Sequence, residues 1–455
     1  MTEAKQQYRH WLAQSKKQPT DAIAWFNLGW WSAKVGLFAE SVQAYEHALT
    51  LGIASPEEAM ANIASVYSER LGQTAPAGQW LDRALLENPN YYPAIFNRAH
   101  IAEQVGDRDT ACQYFEQAAA LAPEDAYPVA RWVEANLTLP PESPAIRSLR
   151  RFANNKDPDA LMALARYEER AGRYDAAWEA LVAANAVDQK AYPPWQALPL
   201  QSQLKSQLET IAGKHYLATS KGRRRLPFLS WACSEPGRLY WSSYWPGTRV
   251  LRHWVSLNFG PGRFMLWVAA WSPPAECPMR SNATSCVSNG AEAITTDKRP
   301  DNLFHMATIR AVLPEAKFII TERDWRDTLV SMLGTRLHPQ HGYATSPEGI
   351  AQHVAFCREV ADFWRENYPK SVYRVNYQAL VTNPEKQLKS LLEWLGEAWH
   401  PGCLDFHALT NSVRTASVWQ VREPVTTSRQ GRWRNYDGPL RAIFGDRLDS
   451  SEPPA

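Results

Sequence analysis

Small and aromatic positions recur at helical spacing through the first 190 residues of the chain. Between Pro89 and Pro123, 34 residues apart, Ala99, Ala102, Ala111, Phe115 and Ala118 fall where two packed helices need small and large contacts. Gly106 and Asp107 supply the turn between those helices. An earlier copy reads Trp25, Leu28, Gly29, Ser41, Tyr45 and Ala48, and a later one Leu164, Ala165, Gly172, Tyr174, Ala177, Leu181 and Ala184. A divergent copy lies between Pro56 and Pro89. Residues 125–157 keep helical character with weaker patterning, because Pro128, Pro140, Pro141 and Pro144 interrupt it. The pattern predicts helix pairs stacked into a solenoid.

From Thr296 the pattern changes to alternating helices and strands. It predicts a helix over Asn302–Leu313, a buried strand over Lys317–Thr321 and a helix from Asp324, as N-cap, to about Leu333. Ser346, Pro347 and Glu348 open a long helix to about Tyr368, and Val372–Asn376 is a second strand, ending at Tyr377. Asn383 and Pro384 open another helix, which Gly396 closes. Such alternation predicts a parallel sheet. Ligands of such sheets sit at the C-terminal strand ends and against helix N-termini. Arg323 stands at that place, with Ser331 two turns along the following helix. A planar charged fork plus a hydroxyl suits a phosphate; the alternative is a surface ion pair. Lys298, upstream in a loop, is a candidate second positive charge.

Composition narrows the classes. A chain of 455 residues, 45% of them hydrophobic, accommodates two or three domains. A net charge of +2 carries no global bias toward nucleic acid or membrane. The basic cluster Arg223, Arg224 and Arg225 reads as a solvated linker. The polar start and the lack of a long apolar run predict no signal segment and no membrane span. The six cysteines form no C-x-x-C framework and read as reduced thiols of a cytoplasmic protein. His338 and His341 stand apart from other ligands, so no metal site is expected.

The 34-residue period and its small-residue spacing are those of tetratricopeptide repeats. The run T-D-K-R-P-D-N at 296–302, followed by R-D-W-R-D-T-L-V-S at 323–331, resembles the sulfotransferase domain fused to such repeats in bacterial proteins. That domain is related to the tyrosylprotein sulfotransferases. The resemblance implies PAPS (3′-phosphoadenosine 5′-phosphosulfate) as sulfuryl donor, with no metal. It implies Arg323 and Ser331 on the 3′-phosphate, Lys298 steadying the transferring group, and Tyr377 touching the nucleotide. The segment T-A-S-V-W-Q-V-R-E-P-V at 415–425 and G-R-W-R-N-Y at 431–436 are also similar to the family, in which this part folds over the nucleotide. Ser417 matches a nucleotide-binding Ser there, whereas Glu423 stands where some relatives carry a Lys.

One family motif is missing. A strand, the turn G-x-P-R-S-G-T-T and a helix ending at a G-E with the catalytic base belong just after residue 226. Instead, residues 222–296 contain neither Lys nor Asp, and six tryptophans fall between Trp231 and Trp271. A shifted reading frame accounts for this. Codons built across residue boundaries force Gly at Trp231-Ala232 and Leu at Tyr240-Trp241, Tyr244-Trp245 and His253-Trp254. They force Ala at Trp245-Pro246 and Gly at Trp254-Val255. Over 234–257 the shifted frame permits R-T-G-T-T-L-L-E-Q-L-L-A-R-H-P-G-V-A-S-L-G-E-L, which resembles the missing motif. The alternative is a true Trp-rich insertion that binds something apolar. The frame is restored before Ala293.

The expected architecture is therefore multidomain: an all-α repeat solenoid over 1–190, a helical and basic linker over 191–226, a P-loop-like α/β sulfotransferase domain with a parallel sheet over 227–445, anomalous at 227–292, and a tail over 446–455. The expected activity is sulfuryl transfer from PAPS to an acceptor hydroxyl, with protein tyrosine a candidate presented by the repeats. It is expected to be impaired by the missing 5′-phosphosulfate loop. A non-catalytic repeat adaptor that binds a peptide or protein is the alternative. A P-loop kinase is disfavoured, because no G-x-x-x-x-G-K-[ST] occurs.

Overall fold

The structure is a computed structural model that describes residues 3–192, 266–269, 296–298, 302–312, 316–405, 419 and 426–454. Contacts divide the chain into two compact units, one of Met1–Gly172 with Thr410–Trp419, the other of Arg173–Leu409 with Gln420–Ala455.

The first unit is helical. After α1 (Glu3–Lys17) come the hairpins α2–α3 (Ala22–Lys34, Phe38–Thr50), α4–α5 (Pro56–Ser65, Thr74–Glu87), α6–α7 (Tyr92–Val105, Arg108–Leu121) and α8–α9 (Ala126–Ala135, Pro144–Asn154), then α10 (Pro158–Arg170). The small positions read from the sequence are the packing surfaces. Gly29 lets the Tyr45 ring lie against α2, since a β-carbon there would come within 2.9 Å of that ring. Ser41 Oγ adds a buried hydrogen bond to the Gly29 carbonyl at 2.6 Å. Gly106 takes the left-handed conformation, φ 84°, that ends α6. Asp107 then accepts from Thr110 N at 3.1 Å to open α7. The divergent copy owes its irregularity to a π-helical turn, Val66–Arg70, that extends α4. The prolines of 125–157 sit where helices tolerate them: Pro128 in the first turn of α8, Pro140 and Pro141 in the loop, Pro144 at the start of α9 after its cap Ser143.

The second unit opens with α11 (Tyr174–Ala191), which the 34-residue pattern assigned to the repeats. It packs against later elements of its own unit. Asn185 Nδ2 donates to the Leu333 carbonyl at 2.9 Å, and Arg336 forks onto Asp188 at 2.9–3.1 Å. Tyr174 and Trp178 both meet Tyr436. Among the described residues the sheet has the order β2-β1-β3-β4, from β1 (Leu266–Ala269), β2 (Thr296–Lys298), β3 (Lys317–Glu322) and β4 (Val372–Asn376). β3 and β4 are parallel, in register from Phe318 opposite Val372 to Glu322 opposite Asn376. β1 runs antiparallel to both β3 and β2. The expected parallel pair is thus present, with an antiparallel addition on one side.

The helices are α12 (Asn302–Val312), α13 (Trp325–Leu333), α14 (Pro347–Asn367), α15 (Tyr377–Thr382), α16 (Pro384–Leu395) and α17 (Asp437–Phe444). Ile319 and Val375 bury one sheet face against Leu380, Leu388, Leu391, Leu392 and Cys403. The anticipated caps form: Asp324 accepts from Arg326 N at 2.9 Å and Ser346 Oγ from Gly349 N at 3.1 Å. The chain beyond residue 446 is held to this unit, since Trp325 Nε1 and Arg326 Nη1 donate to the carbonyls of Ser450 and Leu448, each at 3.0 Å. Of the anomalous stretch 227–292, only residues 266–269 are among the described residues, so the missing strand and glycine turn just after residue 226 lie outside them.

Candidate functional site

Parallel pairing of β3 and β4 brings their C-terminal ends side by side, and the next residue of each strand is a site candidate. Arg323 follows β3 and Tyr377 follows β4. The guanidinium lies over the Tyr377 ring, 4.9 Å from its centre. The Arg323 side chain is only 12% exposed. Its Nη2 donates to the Arg429 carbonyl at 2.7 Å and lies 3.9 Å from Asp327 Oδ2, while its Nε has no partner among the described residues. Burial presses the Arg323 pKa below the ordinary guanidinium value, against the neighbouring Asp327 and Tyr377. A buried cation with a donor to spare favours an anion.

Asp327 was not singled out by the sequence reading. It is 1% exposed and accepts from Gly431 N at 2.8 Å and Trp433 N at 3.1 Å. It therefore staples the G-R-W-R segment onto α13 beside Arg323. Arg326 stacks over Trp433 at 4.3 Å and pairs with Asp324 at 2.6 Å. Burial alone would raise the Asp324 carboxyl, but the hydrogen bonds from Arg326 win and hold it below its ordinary value. Gln430 Nε2 donates to the Gln378 carbonyl at 3.1 Å, fixing the same segment to α15 just after Tyr377.

Ser331 lies on α13 one turn beyond Asp327 and on the same helix face. It is half-buried, and its hydroxyl makes no hydrogen bond among the described residues. The structure brings Arg323 and Tyr377 into contact and places Ser331 along the helix that Arg323 introduces. Lys298 is not in a loop: it closes the edge strand β2, opposite Trp267, which in turn lies opposite Ile319. The three polar residues of β2 carry no alternation, so the strand was not legible. Its register puts Lys298 three residues short of the Glu322 row, roughly 10 Å along the strands. Ser417 lies outside the described residues. Among the described residues no His, Cys, Asp and Glu cluster suits a metal, and no helix is long and apolar enough to cross a membrane.

A profile described as the sulfotransferase family matches residues 240–401, and a tetratricopeptide repeat profile matches residues 92–125. The first match begins inside the Trp-rich stretch. A Caenorhabditis elegans protein named "Putative protein-tyrosine sulfotransferase" is 32% identical over 175 residues, which cover 34% of this chain and 67% of that protein. A Caenorhabditis briggsae protein of the same name is 26% identical over 175 residues, with 34% and 62% covered. An "Uncharacterized protein" of Aquifex aeolicus is 29% identical over 151 residues, 32% of this chain and 20% of that one. The chain thus spans a fifth of the Aquifex relative and 62% of the C. briggsae relative. A solved tetratricopeptide repeat protein from Parabacteroides merdae is similar at 17% identity and TM-score 0.32, over 47% of this chain and 86% of its own.

Proposed function

This chain belongs to the sulfotransferase family, and we propose that it is built to move a sulfuryl group from PAPS to an acceptor hydroxyl, a protein tyrosine being the favoured acceptor. The observation that carries the reading is Arg323: a buried guanidinium at the C-terminal ends of two parallel strands, its Nε without a partner among the described residues, followed by a helix whose Ser331 hydroxyl makes no hydrogen bond among them. Those groups fit a 3′-phosphate, a dianion that accepts several charge-assisted hydrogen bonds. Asp327 adds one negative charge but spends its oxygens on the Gly431 and Trp433 amides, so it shapes the site more than it repels an anion.

When bound, PAPS supplies the sulfuryl group on a phosphate leaving group. Arg323 and Ser331 hold the 3′-phosphate, and Ser417 joins them. Tyr377 keeps the guanidinium in plane and covers it from water. Lys298 steadies the negative charge that develops on the transferring group. The acceptor needs a carboxylate base, and the shifted stretch 227–292 is where that base belongs. The repeats of 1–190 present the acceptor peptide, and 227–445 is the transfer domain. A second reading, a repeat adaptor whose transfer domain is inactive, draws on the absence of G-x-P-R-S-G-T-T from the chain.

The test separates binding from turnover. The chain should bind 3′-phosphoadenosine 5′-phosphate in a calorimeter. Arg323→Ala should weaken that binding about 10- to 100-fold, the effect of one charge-assisted contact. Ser331→Ala should weaken it about 10-fold. Unchanged affinity in the Arg323 variant sinks the 3′-phosphate reading, whereas binding with no sulfate transfer to tyrosine peptides even after the frame across 227–292 is restored supports the adaptor.

A further inference from the structure

The seam between α6 and α7 is built from Ala99, Ala102 and Ala111 with Phe115, all fully buried. Three alanines, with nothing beyond the β-carbon, make this part of the seam a shallow notch. Phe96, Tyr114 and Trp132 form its partly buried walls, and a residue more than 280 positions further on completes it: Trp419. The Arg108 guanidinium, at the first position of α7, lies over the Trp419 ring at 4.8 Å. Contacts accordingly group Thr410–Trp419 with the helical unit. The Trp419 Nε1 is buried with no partner among the described residues. The indole is thus held by apolar contact and by the cation above it, with no hydrogen bond to fix one orientation.

We propose that this notch is an indole-binding seat of the repeats and that the chain's own Trp419 occupies it. Trp419 is then a built-in ligand of α6, α7 and α8. The proposal does not rest on sulfuryl transfer, and its test needs no nucleotide.

The probe is a labelled synthetic peptide of residues 410–425, titrated by fluorescence anisotropy into the full chain and into its Trp419→Ala variant. Circular dichroism first verifies that the variant keeps its helices. The emptied seat should bind the peptide saturably, and the wild-type chain, with its seat filled, at least about 10-fold more weakly. Adding Arg108→Ala to the variant should lower its affinity roughly three-fold to thirty-fold, the range of a cation over an indole. A peptide carrying Ala for Trp419 should not bind. Equal binding by wild type and variant, or equal binding of the Ala peptide, overturns the proposal. Should Trp419→Ala lose its helices, the same titration on Trp419→Val, which leaves most of the notch open, decides between these outcomes.

Discussion

The repeats and the sheet unit reach across the chain over very different distances. In the repeats, side-chain bonds that leave a helix span about one repeat: Tyr8 to Glu40 is 32 residues, Arg166 to Glu134 is 32, Tyr92 to Asp125 is 33. Around Arg323 the corresponding bonds span far more, 104 and 106 from Asp327 to Gly431 and Trp433, and 125 from Trp325 to Ser450. The first arrangement is close to one-dimensional, each repeat bonded mainly to its neighbours, with Trp419 as the long-range exception. The second closes long loops before any contact is made, so each staple secures much chain and its loss is felt widely.

That difference is most sharply tested in the stretch 227–292. If it is a shifted frame, one local change removes a whole phosphate-binding element from the sheet unit and leaves the repeats as they are. Restoring the frame should raise sulfate transfer to tyrosine peptides from below detection. The expected gain is ~10²–10³ for one set of backbone donors multiplied by roughly 10²–10⁴ for the base. Turnover by the chain as written, abolished by Lys298→Ala, would show the Trp-rich stretch to be a functional substitute.

Asp327→Ala probes the staple itself. It strands two amides, Gly431 N and Trp433 N, in the interior. The expected cost is about 2–4 kcal/mol in the sheet unit's unfolding transition, with no change in that of the repeats. Urea unfolding followed by hydrogen exchange resolved peptide by peptide reads the two, since both units contain helices and tryptophans. Equal losses in both transitions would mean that the units do not unfold independently.

Acid should separate the units as well. His353 stacks on Tyr343 at 3.7 Å, and burial with the nearby His341 pushes its pKa down to about 3. The unfolded chain therefore binds the proton first, and stability is full above about pH 6.5 and falls as pH drops toward 3. His353 is partly exposed, which softens the effect to about 2 kcal/mol by pH 4. In the repeats, burial raises the Glu103 carboxyl, but His100 and Arg131 outweigh it and hold the group below 4.5. Its contribution is present above that pH and is lost only as pH falls through the lowered value. The sheet unit should lose stability first on acidification, and His353→Phe should flatten its curve between pH 6.5 and 4. An unaltered curve in that variant would remove His353 as the cause.

Legibility followed the same division. The 34-residue period, the Gly106-Asp107 turn and the strands at 317 and 372 are written in neighbouring residues, and each appears where the pattern put it. The placement of Arg323 at the end of β3 was also legible from the strand pattern, and Tyr377, named through the resemblance, meets it because parallel strands present their C-terminal ends together. Asp327 was not, although it lies inside the quoted R-D-W-R-D run: its partners are two backbone amides more than 100 residues away, and a backbone amide has no sequence signature. Strand β2 was missed because three polar residues on a sheet edge need no alternation. Trp419 was quoted as part of the tail, yet it packs against the alanines of α6 and α7, and small residues so far away in sequence give no sign of what they will meet.

The smallest effect is the most discriminating, because the two units share a device. Asp107 and Asp324 each cap a helix, accepting from Thr110 N at 3.1 Å and from Arg326 N at 2.9 Å. Replacement of either by Ala should cost about 1 kcal/mol for the cap alone. Among the described residues the Asp107 side chain has that one bond, so Asp107→Asn, which keeps the acceptor, should recover nearly all of it. Asp324 also pairs with Arg326, whose guanidinium stacks on Trp433 and donates to the Leu448 carbonyl. Its contribution should therefore be larger by a few tenths of a kcal/mol, and Asp324→Asn should restore the cap but not the pairing. The residual loss in Asp324→Asn should shrink in high salt, and in acid it should vanish as wild-type Asp324 takes up a proton below pH 3.8. A full recovery by Asp324→Asn at every salt concentration would leave Asp324 as local a device as Asp107, and the contrast between the units would then rest on Asp327 and not on the charge network around it.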